Sequence, residues 1–168
     1  MFHINDYVFY ESGGICRIAD ICAAPLENMP ADRDYYVMKS VHDSNEVIYI
    51  PVDSDRVFLR RLLNREEAEQ LLDEIPTVEV IEEPNAKVLR NRYQEAMRTH
   101  EPLEWIRVIK TVHARTQERV QKSQRLSETE RSFLEAAKRY LYAELALALG
   151  LEARDMECYI TEHIRKMA

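Results

Sequence analysis

The residue types that carry most metal and cofactor chemistry are present in this chain, but their spacing does not bring them together. The five histidines are scattered and include no His-x3-His pair, so they do not form a zinc motif. Cys16 and Cys22 are separated by five residues, which fits no common zinc motif either. We therefore expect no metal and no cofactor. The odd number of cysteines, three in all, also argues against a disulfide framework.

Catalytic groups are equally unsupported by the sequence. Glu66 and Glu67 are neighbours on a predicted helix, where adjacent side chains point about 100° apart, and such pairs are typical of solvated charge. Ser127 is expected to cap a helix, which makes it a poor nucleophile. The only adjacent glycines, Gly13 and Gly14, do not lead into a helix and so form no phosphate-binding loop. These patterns predict that the protein is not an enzyme and has no small-molecule substrate.

The charge is divided unequally along the chain, and this division is the first pointer to function. Residues 1–84 carry 7 Lys and Arg against 18 Asp and Glu, a net charge of −11. Residues 85–142 carry 13 against 7, a net charge of +6, although the whole chain has a net charge of −7. Such asymmetry is typical of a basic module for a polyanion joined to an acidic module with a different partner.

Short strands are predicted before about residue 60. Four segments are rich in β-branched and aromatic residues, as strands require. They are Tyr7–Tyr10, Ile15–Ile18, Tyr35–Met38 and Val47–Ile50. Turns are expected at Ser12-Gly13-Gly14 and between His42 and Asn45. This part of the chain therefore predicts a small twisted sheet or barrel.

Helices are predicted from residue 64 onwards, because the apolar spacing changes to three and four residues. Asn64 with Glu67, and Ser127 with Glu130, have the spacing of capping boxes, and Gly150 is a stop signal. The predicted helices are Arg65 to Ile75, Asn85 to about Thr99, Pro102 to about Val120, Ser127 to Gly150, and about Glu152 to Met167. An acidic linker, Thr77 to Glu83, precedes the second helix, and Trp105 lies on an apolar face that predicts a core position. No segment is apolar enough to span a membrane, and the start resembles no signal peptide, so a cytoplasmic protein is expected.

Several segments, in this order and spacing, resemble one known family. They are Asp6–Tyr10, Gly14–Ile21, Tyr35–Lys39, Ile48–Asp53, Leu59-Arg60, Leu126-Ser127 with Glu130, and Ala137–Arg139 leading to Glu144–Gly150. On these residues the chain resembles a CarD-type bacterial transcription regulator. Its first module is similar to the RNA polymerase interaction domain of transcription-repair coupling factor.

The resemblance implies an α+β chain with two domains. Residues 1–62 would form a small Tudor-like antiparallel β module that binds the RNA polymerase β subunit, and residues 63–168 an all-helical DNA-binding domain. In such proteins the sheet docks by β-augmentation, in which an exposed edge pairs with a partner strand. By position the docking strand would be Val47, Ile48, Tyr49, Ile50 and Pro51. The implied function is to modulate open-complex stability at initiation.

Promoter DNA is the second implied partner, bound through its phosphate backbone near the upstream edge of the transcription bubble. The candidate contacts are basic residues of the helical part, namely Arg90, Arg92, Arg125, Lys138 and Arg139. Contacts of this kind are independent of sequence and sensitive to salt, which suits a factor that acts at many promoters.

One departure from the family leaves a second function open. Members commonly carry a tryptophan near the start of the helix that holds Arg90 and Arg92, where it wedges into the minor groove. This chain has no tryptophan between Thr77 and Tyr93; the neighbouring apolar residues are Val80, Val88 and Leu89. The alternative is therefore a protein-interaction adaptor that has lost DNA binding.

Overall fold

The computed structural model describes residues 1–12 and 14–168, which divide into two compact units, Met1–Leu62 and Leu63–Ala168. Five strands lie in the described part of the first unit: β1 (Tyr7–Tyr10), β2 (Gly14–Ala23), β3 (Asp34–Ser40), β4 (Val47–Pro51) and β5 (Leu59–Arg61). The second unit contains α1 (Arg65–Glu74), α2 (Ala86–Arg98), α3 (Pro102–Gln121), α4 (Glu128–Leu149) and α5 (Met156–Met167), with 3₁₀ turns at Ile75–Thr77 and Ala153–Asp155. The predicted α+β fold, a β module followed by helices, is confirmed.

The strands form one antiparallel sheet in the order β4-β3-β2-β1-β5. Apolar side chains at alternate positions lie on one face of it, as the two-residue period of a strand requires. The buried residues of that core are Val8, Cys16, Ile18, Tyr36, Met38 and Ile50. Gly13, part of the predicted first turn, lies outside the described residues.

A β-bulge in β2 keeps its apolar side chains on the core face over ten residues. The register against β3 shifts between Ile18 and Asp20, so that one extra residue is inserted. Because an insertion of one residue reverses the alternation of faces, Ile21 packs against the core together with Ile18. Cys16 is fully buried in this core, and burial together with the nearby Glu46 charge raises the pKa of its thiol to about 11.

Local capping sets the ends of the helices. At the start of α1 the Asn64 side chain accepts the Glu67 N–H at 2.9 Å, and the Glu67 carboxylate accepts the Asn64 N–H at 2.9 Å. The capping box predicted here is thus confirmed. Helix α4 ends at Gly150, whose φ of 69° is the left-handed conformation that glycine adopts without strain. Arg65 donates to the last α4 carbonyl, that of Leu149, at 2.8 Å.

The segment between α1 and α2 has no regular structure beyond the 3₁₀ turn Ile75–Thr77, and side chains of α3 hold it in place. Lys110 donates from its Nζ to the carbonyls of Ile75, Pro76 and Val78 at 2.7, 3.1 and 2.6 Å. Burial lowers the pKa of this ammonium group. The Thr111 hydroxyl accepts the buried Ile81 N–H at 2.9 Å. Side chains of α3 therefore satisfy backbone groups that an irregular segment leaves unpaired.

Trp105 is fully buried in the helical unit, as its apolar face predicted, with its ring 5.6 Å from that of Tyr140.

Within residues 1–12 and 14–168, no helix has the length and apolar character needed to cross a membrane. In the same part of the chain, no group of three or more His, Cys, Asp or Glu side chains could hold a metal ion.

Candidate functional site

Strand β4 lies at one edge of the sheet and carries backbone groups that are available for pairing. On the side of β3, the Val52 N–H donates to Asp34 at 2.9 Å and the Ser40 N–H donates to Glu46 at 3.4 Å. Antiparallel strands direct the backbone groups of alternate residues to opposite sides, so even-numbered residues of β4 face β3. The N–H and C=O groups of Val47 and Tyr49 consequently point away from the sheet, where no described residue pairs with them.

Successive side chains of β4 likewise point to opposite faces of the sheet. Ile50 is 3% exposed and belongs to the core, against which Ile48 also packs. Val47 is 38% exposed and lies with Tyr49 on the other face. Of the five residues predicted to bind polymerase, Val47 and Tyr49 have N–H and C=O groups that point away from the sheet and side chains that lie away from the core.

Two features limit where a partner strand can be added to the sheet. Pro51 ends the available edge of β4, since it has no N–H and its carbonyl accepts the Ser54 N–H at 3.1 Å. The opposite edge, β5, is only three residues long and carries two arginines. Short, charged edges discourage strand addition, so β4 is the better docking edge of the described sheet.

In the helical unit, a buried carboxylate organises the start of α4. Glu130 is 5% exposed and accepts hydrogen bonds from Arg115 Nε at 2.5 Å, Arg119 Nη1 at 2.8 Å and Ser127 Oγ at 3.0 Å. Ser127 also accepts the Glu130 N–H at 3.2 Å. The predicted capping box is thus only half formed, because the carboxylate binds two α3 guanidinium groups and the Ser127 hydroxyl instead of the Ser127 N–H.

These contacts perturb the protonation of two groups. Burial favours the neutral form of Glu130, but hydrogen bonds from Arg115 and Ser127 and the arginine charges outweigh it and hold the pKa below its usual value. Tyr93, 1% exposed, lies close by, and burial followed by the Glu130 charge raises its pKa to about 12. The buried Tyr93 hydroxyl lies close to the Glu130 carboxylate. Both side chains are therefore fixed in one protonation state at neutral pH.

A basic groove runs between α2 and the first half of α4. Arg90 lines one hollow with Glu128, Ser132 and Phe133, and Arg98 lines the next hollow with Ser132 and Phe133. Tyr140 also lines the second hollow, and Arg139 lies over its ring at 5.3 Å. We define the basic groove as Lys87, Arg90, Arg98 and Arg139, all exposed cations. From Lys87 to Arg98 the helix rises about 16 Å, or roughly five base-pair steps of B-DNA.

The structure brings together only part of the predicted DNA-binding set. Arg90 and Arg139 belong to the basic groove, whereas Arg92 projects from the other side of α2, beside the acidic linker. Lys138 is only 22% exposed and forms an ion pair with Glu157 at 2.9 Å. Arg125 is exposed in the loop before α4, where its carbonyl accepts from Arg119 at 3.3 Å.

The sequence prediction missed four basic residues of this region. Lys87 and Arg98 share a helix with Arg90, and Arg115 and Arg119 are one turn apart on α3. The spacing of these residues along a predicted helix was the signal in the sequence that could have identified each pair. Their position next to α4, however, depends on how three helices pack together.

The described residues thus present an open sheet edge in one unit and a basic groove in the other. Two protein-family models match the chain. Residues 2–63 match the CarD-like/TRCF RID domain, and residues 70–161 match the CarD C-terminal domain. Compared with curated protein sequences, the chain gives no match.

The chain therefore belongs to the CarD family, as its resemblance predicted. The second match alone covers more than half of its residues. The family domains place the chain among the non-enzymatic transcription regulators that interact with RNA polymerase.

Proposed function

We propose that the chain binds the β subunit of RNA polymerase through β4 and promoter DNA through the basic groove, and so modulates open-complex stability at initiation. The observation that carries the proposal is the edge position of β4, with the backbone groups of Val47 and Tyr49 directed outward. A partner strand added there would gain up to four backbone hydrogen bonds, two from each residue. In this scheme the first unit serves as a Tudor-like docking module.

Backbone pairing can be tested with two substitutions at one position. Tyr49→Ala and Tyr49→Pro both remove the side chain, but only proline also removes the outward N–H. Neither breaks a bond to β3, and proline is tolerated on edge strands when its nitrogen faces away from the neighbouring strand. We expect the proline variant to bind polymerase core, and isolated β subunit, roughly tenfold more weakly than the alanine variant, because a donor is lost and the ring obstructs the partner.

Circular dichroism of both variants provides the folding control. Equal binding by the alanine and proline variants would exclude backbone pairing as the docking mode. Failure of the intact wild-type chain to bind polymerase would refute the whole proposal for the first unit.

DNA binding is supported by the cluster of unpaired cations in the basic groove. Arg90 forms no ion pair with any described residue, so its charge is available to a phosphate. Each phosphate contact contributes about 0.9 to the slope of log affinity against log salt concentration. Arg90→Gln should therefore lower this slope by about one for a promoter duplex.

Arg92→Gln is the matched control, since it removes the same charge from the other side of the same helix. We expect it to leave the salt slope unchanged. Equal effects of the two substitutions would show that net charge, not the basic groove, attracts the DNA. Absence of salt-dependent binding by the wild-type chain would instead favour an adaptor that has lost DNA binding.

The regulatory effect follows from differential binding. A factor that contacts the open promoter complex more strongly than the closed one stabilises the open complex by that difference. A difference of about 1.4 kcal/mol changes the open population tenfold. The lifetime of open complexes, measured with wild type, Tyr49→Pro and Arg90→Gln, reports the contribution of each surface.

A further inference from the structure

A cavity of about 340 Å³ lies between α2, α3 and α4, at one end of the basic groove. Its volume is at the lower end of the range for small-molecule pockets. Four cationic side chains line it, those of Lys87, Arg90, Arg115 and Arg119, and Glu130 is the carboxylate among its lining residues. The lining thus carries three net positive charges, which favours an anion.

The four cations differ in depth. Arg115 and Arg119 are recessed, with side chains 25% and 23% exposed, and both are held in place by Glu130. Lys87 and Arg90 are exposed at the rim and form no ion pair with any described residue. An anion would therefore meet two free charges at the rim and two fixed guanidinium groups behind them. Arginine is well suited to phosphate because its planar group donates two parallel hydrogen bonds.

The starts of two helices and one buried hydroxyl also border the cavity. The cavity is lined by Ala86 and Thr129, which are the first residue of α2 and the second of α4. The first N–H groups of a helix lack partners within the helix, and the helix dipole is positive there. Tyr93 also lines the cavity, and its buried hydroxyl lies close to the Glu130 carboxylate.

We propose that this cavity binds a small phosphorylated molecule, with its phosphate between Lys87 and Arg90 at the rim and Arg115 and Arg119 behind. Because Arg115 and Arg119 are recessed behind the rim, a small ligand that enters the cavity can reach all four cations. The proposal concerns the helical unit's own cavity and does not rest on DNA binding by the basic groove. Because Lys87 and Arg90 belong to both sites, a bound ligand would compete with DNA for them.

Isothermal titration of the intact chain tests the cavity, with inorganic phosphate, pyrophosphate and ADP as probes and sodium acetate at matched ionic strength as the control. We expect saturable binding, at one site per chain, of at least one phosphorylated probe and none of acetate. Tighter binding of pyrophosphate than of ADP would assign the site to inorganic polyphosphate, and the reverse order would assign it to an organic phosphate.

Exposed residues provide variants that should leave the fold intact. Lys87→Gln and Arg90→Gln should each weaken binding of the probe by roughly tenfold, the usual effect of losing one charged hydrogen bond. Arg92→Gln, on the other side of α2, should leave the affinity unchanged. Equal losses in all three variants would overturn the proposal, and so would the absence of saturable binding of every phosphorylated probe up to about 1 mM. Salt-dependent DNA binding is measured separately, so either proposal can fail without the other.

Discussion

Replacing the buried carboxylate of Glu130 tests the central contact of the helical unit. Glu130→Gln keeps the side-chain volume but removes the charge that holds Arg115 and Arg119. Breaking a fully buried ion pair costs about 3–5 kcal/mol, since the remaining charge loses its partner. The two arginines keep about a quarter of their exposure and glutamine retains one acceptor oxygen, so the cost should fall below that of a fully buried pair. We expect a loss of about 2–3 kcal/mol in the free energy of unfolding.

Thermal and urea denaturation followed by circular dichroism measure this loss. For a unit of this size, about 4 °C corresponds to 1 kcal/mol, so Tm should fall by about 10 °C. Glu128→Gln is the control: its side chain is 88% exposed and 3.8 Å from Arg131, and its loss should cost under about 0.5 kcal/mol. A loss below about 1 kcal/mol for Glu130→Gln would refute the inference that its ion pairs hold α3 against α4.

The pH dependence of stability provides a second check on Glu130. Its pKa in the folded protein lies below the usual value of 4.5, so the unfolded chain takes up this proton first as the pH falls. The stabilisation is therefore complete above pH 4.5 and is lost as the pH decreases below that value. Glu130→Gln should lack this part of the acid sensitivity, whereas an unchanged acid profile would contradict the proposed cause.

Two further predictions concern the linker and the sheet. Lys110→Met should cost about 2 kcal/mol in urea denaturation, because the carbonyls of Ile75, Pro76 and Val78 lose a charged donor, and amide exchange at Ile81 should accelerate; unchanged exchange would mean that Lys110 does not hold the segment between α1 and α2. Cys16, buried and with a raised pKa, should resist thiol reagents at pH 8 until the chain unfolds, while the exposed Cys158 reacts at once. Rapid labelling of Cys16 in the native protein would contradict the burial of β2.

Local signals in the sequence were sufficient for most of the secondary structure. The capping box of Asn64 and Glu67 and the stop at Gly150 are formed as expected, because both depend on residues within a few positions of each other. The strand segments were recognised in the same way, although β2 extends to Ala23. Its bulge was not anticipated, since register is set by pairing with β3 rather than by β2 alone.

The candidate sites were predicted less completely, and the reason is the range of the interactions. Helical geometry alone could have separated Arg90 from Arg92, which lie about 200° apart around α2. The pairing of Lys138 with Glu157 could not be foreseen, because it joins residues of two different helices. For the same reason the sequence assigned Glu130 to the local cap of α4, whereas helix packing turned it towards α3.

The sequence by itself therefore determined which segments form strands and helices, where most of them end, and which family the chain resembles. Tertiary structure decided which backbone groups of β4 point outward and which cations surround one cavity. Caps, turns and amphipathic periods depend on neighbours within about one helical turn, so they can be recognised in a linear sequence. Strand order and helix packing bring together residues that are distant along the chain, and only the folded protein fixes those contacts.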